Sequence, residues 1–227
     1  MSLAIAWIPS NQDRNRGALP GHNEAGNCRL LAHGATQKAI AQGVTTRYFE
    51  PALESADAVQ YASLHTTFAQ ARAWLDQQAA AGLRTCAVHV HTNAAGTPQA
   101  GSSHTGYCFT KNNMESSHLG FAIASKVGLV LGLGLVAYDY TDWLFDRLLR
   151  PHVSTIIEVT RHDRKPDLEK LYASAELVED ALLHGAMAWA GVAAAAPATP
   201  GELEQLRAEV VRLKAKLVAI RDVAAAL

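Results

Sequence analysis

The sequence predicts an α/β domain, a mainly parallel sheet with helices on both faces, followed by a C-terminal coiled-coil helix. Three observations predict it. Short apolar or β-branched runs alternate with segments of helical length, the pattern of crossover connections between parallel strands. Apolar residues make up 49% of the 227 residues, ample for one buried core. Residues 201–227 carry a strict three-four apolar spacing after a small-residue linker.

Leu3–Ile8 reads as a buried strand ended by Pro9, and a polar loop rich in Asn, Arg, Gly and Pro runs on to Asn23. Glu24–Gln42 fits a helix anchored by Leu30, Leu31 and Ile40, with Gly43 just past its end. Val44–Phe49 is β-branched and aromatic, hence a strand. Ala52–Ala62 and Thr67–Ala81 are predicted helical. Arg84–His91 alternates and reads as a central strand, followed by a loop over Thr92–Ser103 and a strand over His104–Thr110. Met114 to about Val136 is predicted as one long helix, weakened by Gly128, Gly132 and Gly134. A short helix over Thr141–Leu149 stops at Pro151. Val153–Thr160 is a strong strand, and two more helices end near Val192. The domain is therefore placed at residues 1–192 and the Ala/Pro linker at 193–200.

In the terminal segment, Leu203, Val210, Leu217 and Ala224 fall at a positions and Leu206, Leu213, Ile220 and Leu227 at d positions. Such a seam predicts a homo-oligomer through residues 201–227, with packing of the helix back on its own domain as the plain alternative. A helix of this length is marginal alone, so it is expected to need partner copies.

Composition excludes several classes. A net charge of -1 gives no field to recruit nucleic acid. The glycine-rich apolar stretch Val127–Ala137 is too short to cross a bilayer, so no membrane insertion is expected. Three scattered cysteines, Cys28, Cys86 and Cys108, form no CxxC pair and read as reduced thiols. The start lacks a basic region and breaks at Pro9, unlike a secretory signal.

Ten histidines are available, and position must choose among them. His89 and His91 share one face of a strand, and His91 lies at its carboxyl end, where open α/β sheets bind ligands. Glu24 opens a helix, where the dipole favours a carboxylate. Glu158 interrupts the apolar strand Ile156-Ile157-Glu158-Val159. A carboxylate there needs a cation, a metal or an acid–base role; an ion pair with Arg161 is the plain alternative.

These pieces, in this order, resemble the zinc-dependent N-acetylmuramoyl-L-alanine amidases of the amidase-3 type, including phage endolysins. The resemblance runs from Leu3 to about Val192. Pro9-Ser-Asn-Gln-Asp-Arg-Asn15 resembles the PSxQxxN opening of one branch. Asn23-Glu24 matches the family's metal-binding Glu, and His91-Thr92-Asn93-Ala94 its metal-binding His segment. Pro151–Thr160 matches the strand bearing the catalytic Glu, here Glu158. The resemblance implies Zn2+ held by Glu24, His91 and a third donor. Pro9 occupies the slot of the usual first His, which leaves His22 as the leading substitute and Gln12, His33 and His89 as alternatives; His33 lies more than two helical turns from Glu24. Asn93 and His104 are expected to line the cleft. The implied activity is hydrolysis of the amide between N-acetylmuramic acid and L-Ala in peptidoglycan. The chain is expected to be cytoplasmic as synthesised and to act on the bacterial wall after release. Two other readings stay open: a non-catalytic wall-binding protein with an impaired zinc site, and another zinc amidohydrolase or peptidase on the same type of sheet.

Overall fold

The computed structural model describes residues 2–56, 62–94, 103–110, 113–139 and 144–193. The chain divides into two units, Met1–Ala194 and Ala195–Leu227, and the description concerns the first. The expected coiled coil at 201–227 and all but the first residue of the linker lie outside the described residues.

Six strands form one sheet: β1 (Leu3–Pro9), β2 (Thr45–Tyr48), β3 (Arg84–Asn93), β4 (His104–Phe109), β5 (Gly134–Asp139) and β6 (Val153–Arg161). Their order is β2-β1-β3-β6-β4-β5. All neighbours are parallel except β4 and β6, which run antiparallel. The central strands are buried on both faces, as their near-continuous apolar sequences require.

Helices cover both faces. On one, α1 (Glu24–Ala41), α3 (Met114–Leu131), α5 (Lys165–Ala173) and α6 (Ala175–Ala190) share a core with Ile5, Trp7, Val88, Val90, Ile157 and Val159. On the other, α2 (Ala62–Ala80) and α4 (Leu144–Leu149) pack Phe68, Leu75, Phe145 and Leu149 against Ala6, Ile8, Ala87 and Ile156. The alternation of side chains along each strand thus feeds two cores. Cys28, Cys86 and Cys108 are buried cysteines outside any disulfide, and among the described residues no helix is long and apolar enough to cross a membrane.

Two expectations are corrected. The helix predicted to run to Val136 ends at Leu131. Gly132 takes φ 58°, and its N–H and that of Leu133 return to Gly128 and Leu129 carbonyls. The chain then forms edge strand β5 along β4. A short apolar run cannot by itself distinguish the end of a helix from a strand. Of the helix expected over Ala52–Ala62, the described residues 52–56 hold a 3₁₀ turn, Glu54–Ala56, and α2 starts at Ala62; residues 57–61 lie outside the described residues. The polar loop captures this backbone: Asn11 Nδ2 donates to the Ala52 carbonyl, Glu54 N to the Asn11 carbonyl, and Ser55 N to Asp13.

Candidate functional site

The site forms at the carboxyl ends of β1, β3 and β6. Strand β3 presents His89 and His91 on the face shared with Ile156 and Glu158 of β6, and His91 and Glu158 are direct register partners. Glu24 arrives from the start of α1. Its approach is fixed by how that helix begins. Asn23 accepts the Gly26 N–H at its side-chain oxygen, while Glu24 N donates to the Asn15 carbonyl and Ala25 N to that of Gln12. The first-turn donors of α1 are thereby satisfied, and the Glu24 side chain is delivered over the strand ends.

Glu24 and His91 meet: His91 Nδ1–H donates to Glu24 Oε1 at 2.8 Å, and their side chains are 4% and 12% exposed. Burial would raise the Glu24 pKa, but the bond and charge of His91, with hydrogen bonds from Asn15 and Ser10, hold it below its ordinary value. Burial likewise disfavours charge on His91, yet Glu24, and more weakly Glu158, raise its pKa. Each partner thus favours the charged form of the other.

His91 Nε2 lies 3.1 Å from His89 Nε2. His89 is enclosed by aromatic rings, stacked on Phe145 at 5.3 Å and edge-on to Phe68 at 5.4 Å. Burial, reinforced by the charge of His91, pushes its pKa well down, so its imidazole is neutral. It forms a dry back wall.

Glu158 is the third element. Its Oε2 is buried and has no hydrogen-bond partner among the described residues. Burial pushes its pKa up to about 7; His91 lowers it and Glu24 raises it further. Arg161, the partner considered from sequence, instead gives Asp163 two N–H bonds of 3.0 and 2.7 Å. The carboxyl consequently stands ready to gain and lose a proton near neutrality.

The remaining expected residues are distributed as follows. His22 Nδ1 is 2.7 Å from the Tyr172 hydroxyl, which donates to Asn27, so its ring is tied to α5. His33 is exposed on α1 and edge-on to Tyr48 at 5.7 Å. Gln12 Oε1 accepts from Asn15 Nδ2, one bond removed from Glu24. Asn93 and His104 both reach the Tyr138 hydroxyl, at 3.4 and 2.6 Å.

Tyr138 itself was not anticipated. Its ring lies across Gly106, the register partner of Glu158. A Cβ at Gly106 would stand 2.6 Å from Tyr138 Cε2 and 3.1 Å from Glu158 Cβ. The glycine inside strand β4 was the available signal, because such glycines mark close approach. Gly106→Ala is expected to displace the Tyr138 ring and cost about 1–3 kcal/mol of stability, measured by denaturant unfolding.

A divalent ion preferring mixed nitrogen and oxygen donors fits the Glu24–His91 pair, which has an unpartnered carboxylate oxygen beside it. Among the described residues, no group of three or more His, Cys, Asp or Glu side chains is gathered for a metal. Glu24 and His91 are a carboxylate and an imidazole that meet here, two side chains of the types that bind zinc.

No protein-family model and no curated protein matches the chain. Solved structures do. The CwlD amidase from Clostridioides difficile, solved in complex with the GerS lipoprotein, is similar at 14% identity and TM-score 0.63, over 82% of this chain and 97% of that one. The catalytic domain of CwlV, an N-acetylmuramoyl-L-alanine amidase from Bacillus (Paenibacillus) polymyxa, matches at 12% identity and TM-score 0.62, over 85% and 100%. The catalytic domain of the CD27L endolysin, which targets Clostridia difficile, matches at 14% and 0.59, over 82% and 97%. The chain has the α/β fold of the N-acetylmuramoyl-L-alanine amidases.

Proposed function

We propose that the chain is a zinc-dependent hydrolase that cleaves the amide between N-acetylmuramic acid and L-Ala in peptidoglycan. The observation that carries this reading is the buried Glu24–His91 pair beside Glu158, a carboxylate with an unpartnered oxygen and a pKa near 7. The amidase fold of its structural neighbours supports the substrate class.

Glu24 Oε1 and His91 Nδ1 are the two donors that would hold zinc. When bound, the metal supplies Lewis acidity toward a carbonyl oxygen and acidifies water. Glu158 takes a proton from the attacking water and returns it to the departing amine, the work for which a pKa near 7 suits it. His89, with Phe68 and Phe145, keeps water from the back of His91. The wall as the place of action belongs to the same proposal. Incubation of the zinc-supplemented protein with purified peptidoglycan tests it. New L-Ala amino termini are expected, without new reducing sugar ends; unaltered peptidoglycan contradicts it.

One observation favours a second reading, a non-catalytic wall-binding protein. Only two protein donors converge among the described residues, and Pro9 stands in β1 in the slot where the family resembled usually has a histidine, although the PSxQxxN branch also has proline there. Wall binding without released amines, and less than one zinc per chain after loading, would select it.

We also propose self-association through residues 201–227, which the a/d spacing supports. Deleting them is expected to lower the mass in solution to that of one chain, read by light scattering. Linked copies raise avidity for a polymeric wall, so binding should weaken as well.

A further inference from the structure

The loop Ser10–Asn23 contains a motif that the hydrolytic chemistry above leaves unused. Ser10 and Asn15 converge on Glu24, and Gln12 stands behind Asn15. Ser10 is fully buried, takes the Gln12 N–H at 3.3 Å, and helps hold the Glu24 carboxyl below its ordinary pKa. Asn15 Nδ2 donates to Glu24 Oε2 at 2.8 Å and to Gln12 Oε1 at 2.5 Å. The Asn15 carbonyl also accepts the Glu24 N–H at 3.0 Å, so this residue grips Glu24 by side chain and backbone together. The loop is closed around that grip. Arg16 bridges Asn23, Gly17 N donates to the His22 carbonyl, and Ala18 N donates to the carbonyl of His162, just beyond β6.

A carboxylate on a free rotor can present either oxygen or both. Here Oε2 is occupied by Asn15, and Oε1 alone faces His91. We propose that Asn15 is the positioning residue of the site: it holds Glu24 in a one-oxygen presentation to His91 and to a divalent ion, with Gln12 fixing the orientation of the Asn15 amide. The metal part rests on the zinc reading above; the Glu24–His91 part does not. Outer hydrogen bonds of this kind change metal affinity about 10–100-fold when removed. In a site with two donors drawn from the described residues, the geometry of each matters more.

The test compares the full chain with Asn15→Leu, Gln12→Leu and Gln12→Glu. Zn2+ affinity is read by competition with a chromophoric chelator, and the Co2+ absorption spectrum serves as a second readout. Asn15→Leu should bind zinc at least about tenfold more weakly, with an altered cobalt spectrum. Gln12→Leu should weaken binding, and Gln12→Glu, which keeps an acceptor for the Asn15 amide, should restore it to within about threefold. In the metal-free chain, Asn15→Leu should shift the His91 Nδ1 nitrogen resonance. Far-UV circular dichroism checks that each variant is folded; should Asn15→Leu not fold, the Gln12 pair decides the matter. A wild-type chain that takes up no zinc overturns the metal reading, and the His91 resonance then decides whether Asn15 positions Glu24. Folded Asn15 and Gln12 variants with unchanged affinity, spectrum and His91 resonance overturn the assignment itself.

Discussion

Glu158→Gln is expected to lower amide hydrolysis by about 10²–10⁴-fold, the usual worth of a general base, while leaving zinc binding intact. It should also stabilise the metal-free protein, and the gain should depend on pH. The Glu158 pKa is raised by burial from 4.5 to about 7. The folded carboxyl therefore holds its proton more tightly than the unfolded one. Below about pH 4.5 both states are protonated and there is no cost. As pH rises through the interval the unfolded state ionises first, and stability falls until about pH 7, where the native group ionises too. The accumulated cost is about 3 kcal/mol. Glutamine removes the ionisation, so the variant should match wild type near pH 4 and exceed it by about 3 kcal/mol at pH 8. For a domain of this size that amounts to about 6–12 °C in Tm. Urea unfolding of chelator-treated protein at both pH values measures it. An equal effect at both would show that Glu158 is not held out of solvent as described.

The second large effect concerns the ion pair. His91→Ala strands a buried carboxylate, at a cost of about 3 kcal/mol. Asn15 and Ser10 remain on Glu24 and keep the loss from being larger. The pH window follows from the two directions of shift. The lowered pKa of Glu24 contributes stability above about 4.5, lost as pH falls through the folded value. The raised pKa of His91 contributes stability that is complete below about 6.5 and is lost as pH rises through the folded value. The penalty of His91→Ala should therefore be greatest between about pH 4.5 and 6.5 and shrink above. Adding Glu24→Gln to His91→Ala should recover part of it, because the stranded charge is gone. Strict additivity of the two substitutions would contradict the pairing.

How far the sequence could be read depended on whether a signal was local. Glu158 was legible because a carboxylate between Ile157 and Val159 of a strand has few affordable explanations. His91 was legible from its place at a strand end, and Glu24 from its place at a helix start. The sheet followed from the alternation of buried strands with helices. His22 shows where local reasoning ends: its loop closes against Tyr172, 150 positions away, and no spacing within the loop encodes that contact. Tyr138 was hidden for a related reason. The helix expected to run to about Val136 overlaps the first half of β5, which hides the strand that carries Tyr138 across Gly106 to Glu158. The segment Pro9–Asn15 was visible as a motif, but its hydrogen bonds to Glu24 exist only once the loop has folded back on α1.

The most direct test of the central claim is a crystal structure of zinc-soaked protein with anomalous data collected at the zinc edge. The expected result is one strong peak within bonding distance of Glu24 Oε1 and His91 Nδ1, with the Glu158 carboxylate beside it. Zinc bound elsewhere, with Glu24 and His91 still joined by their 2.8 Å hydrogen bond, would contradict the claim.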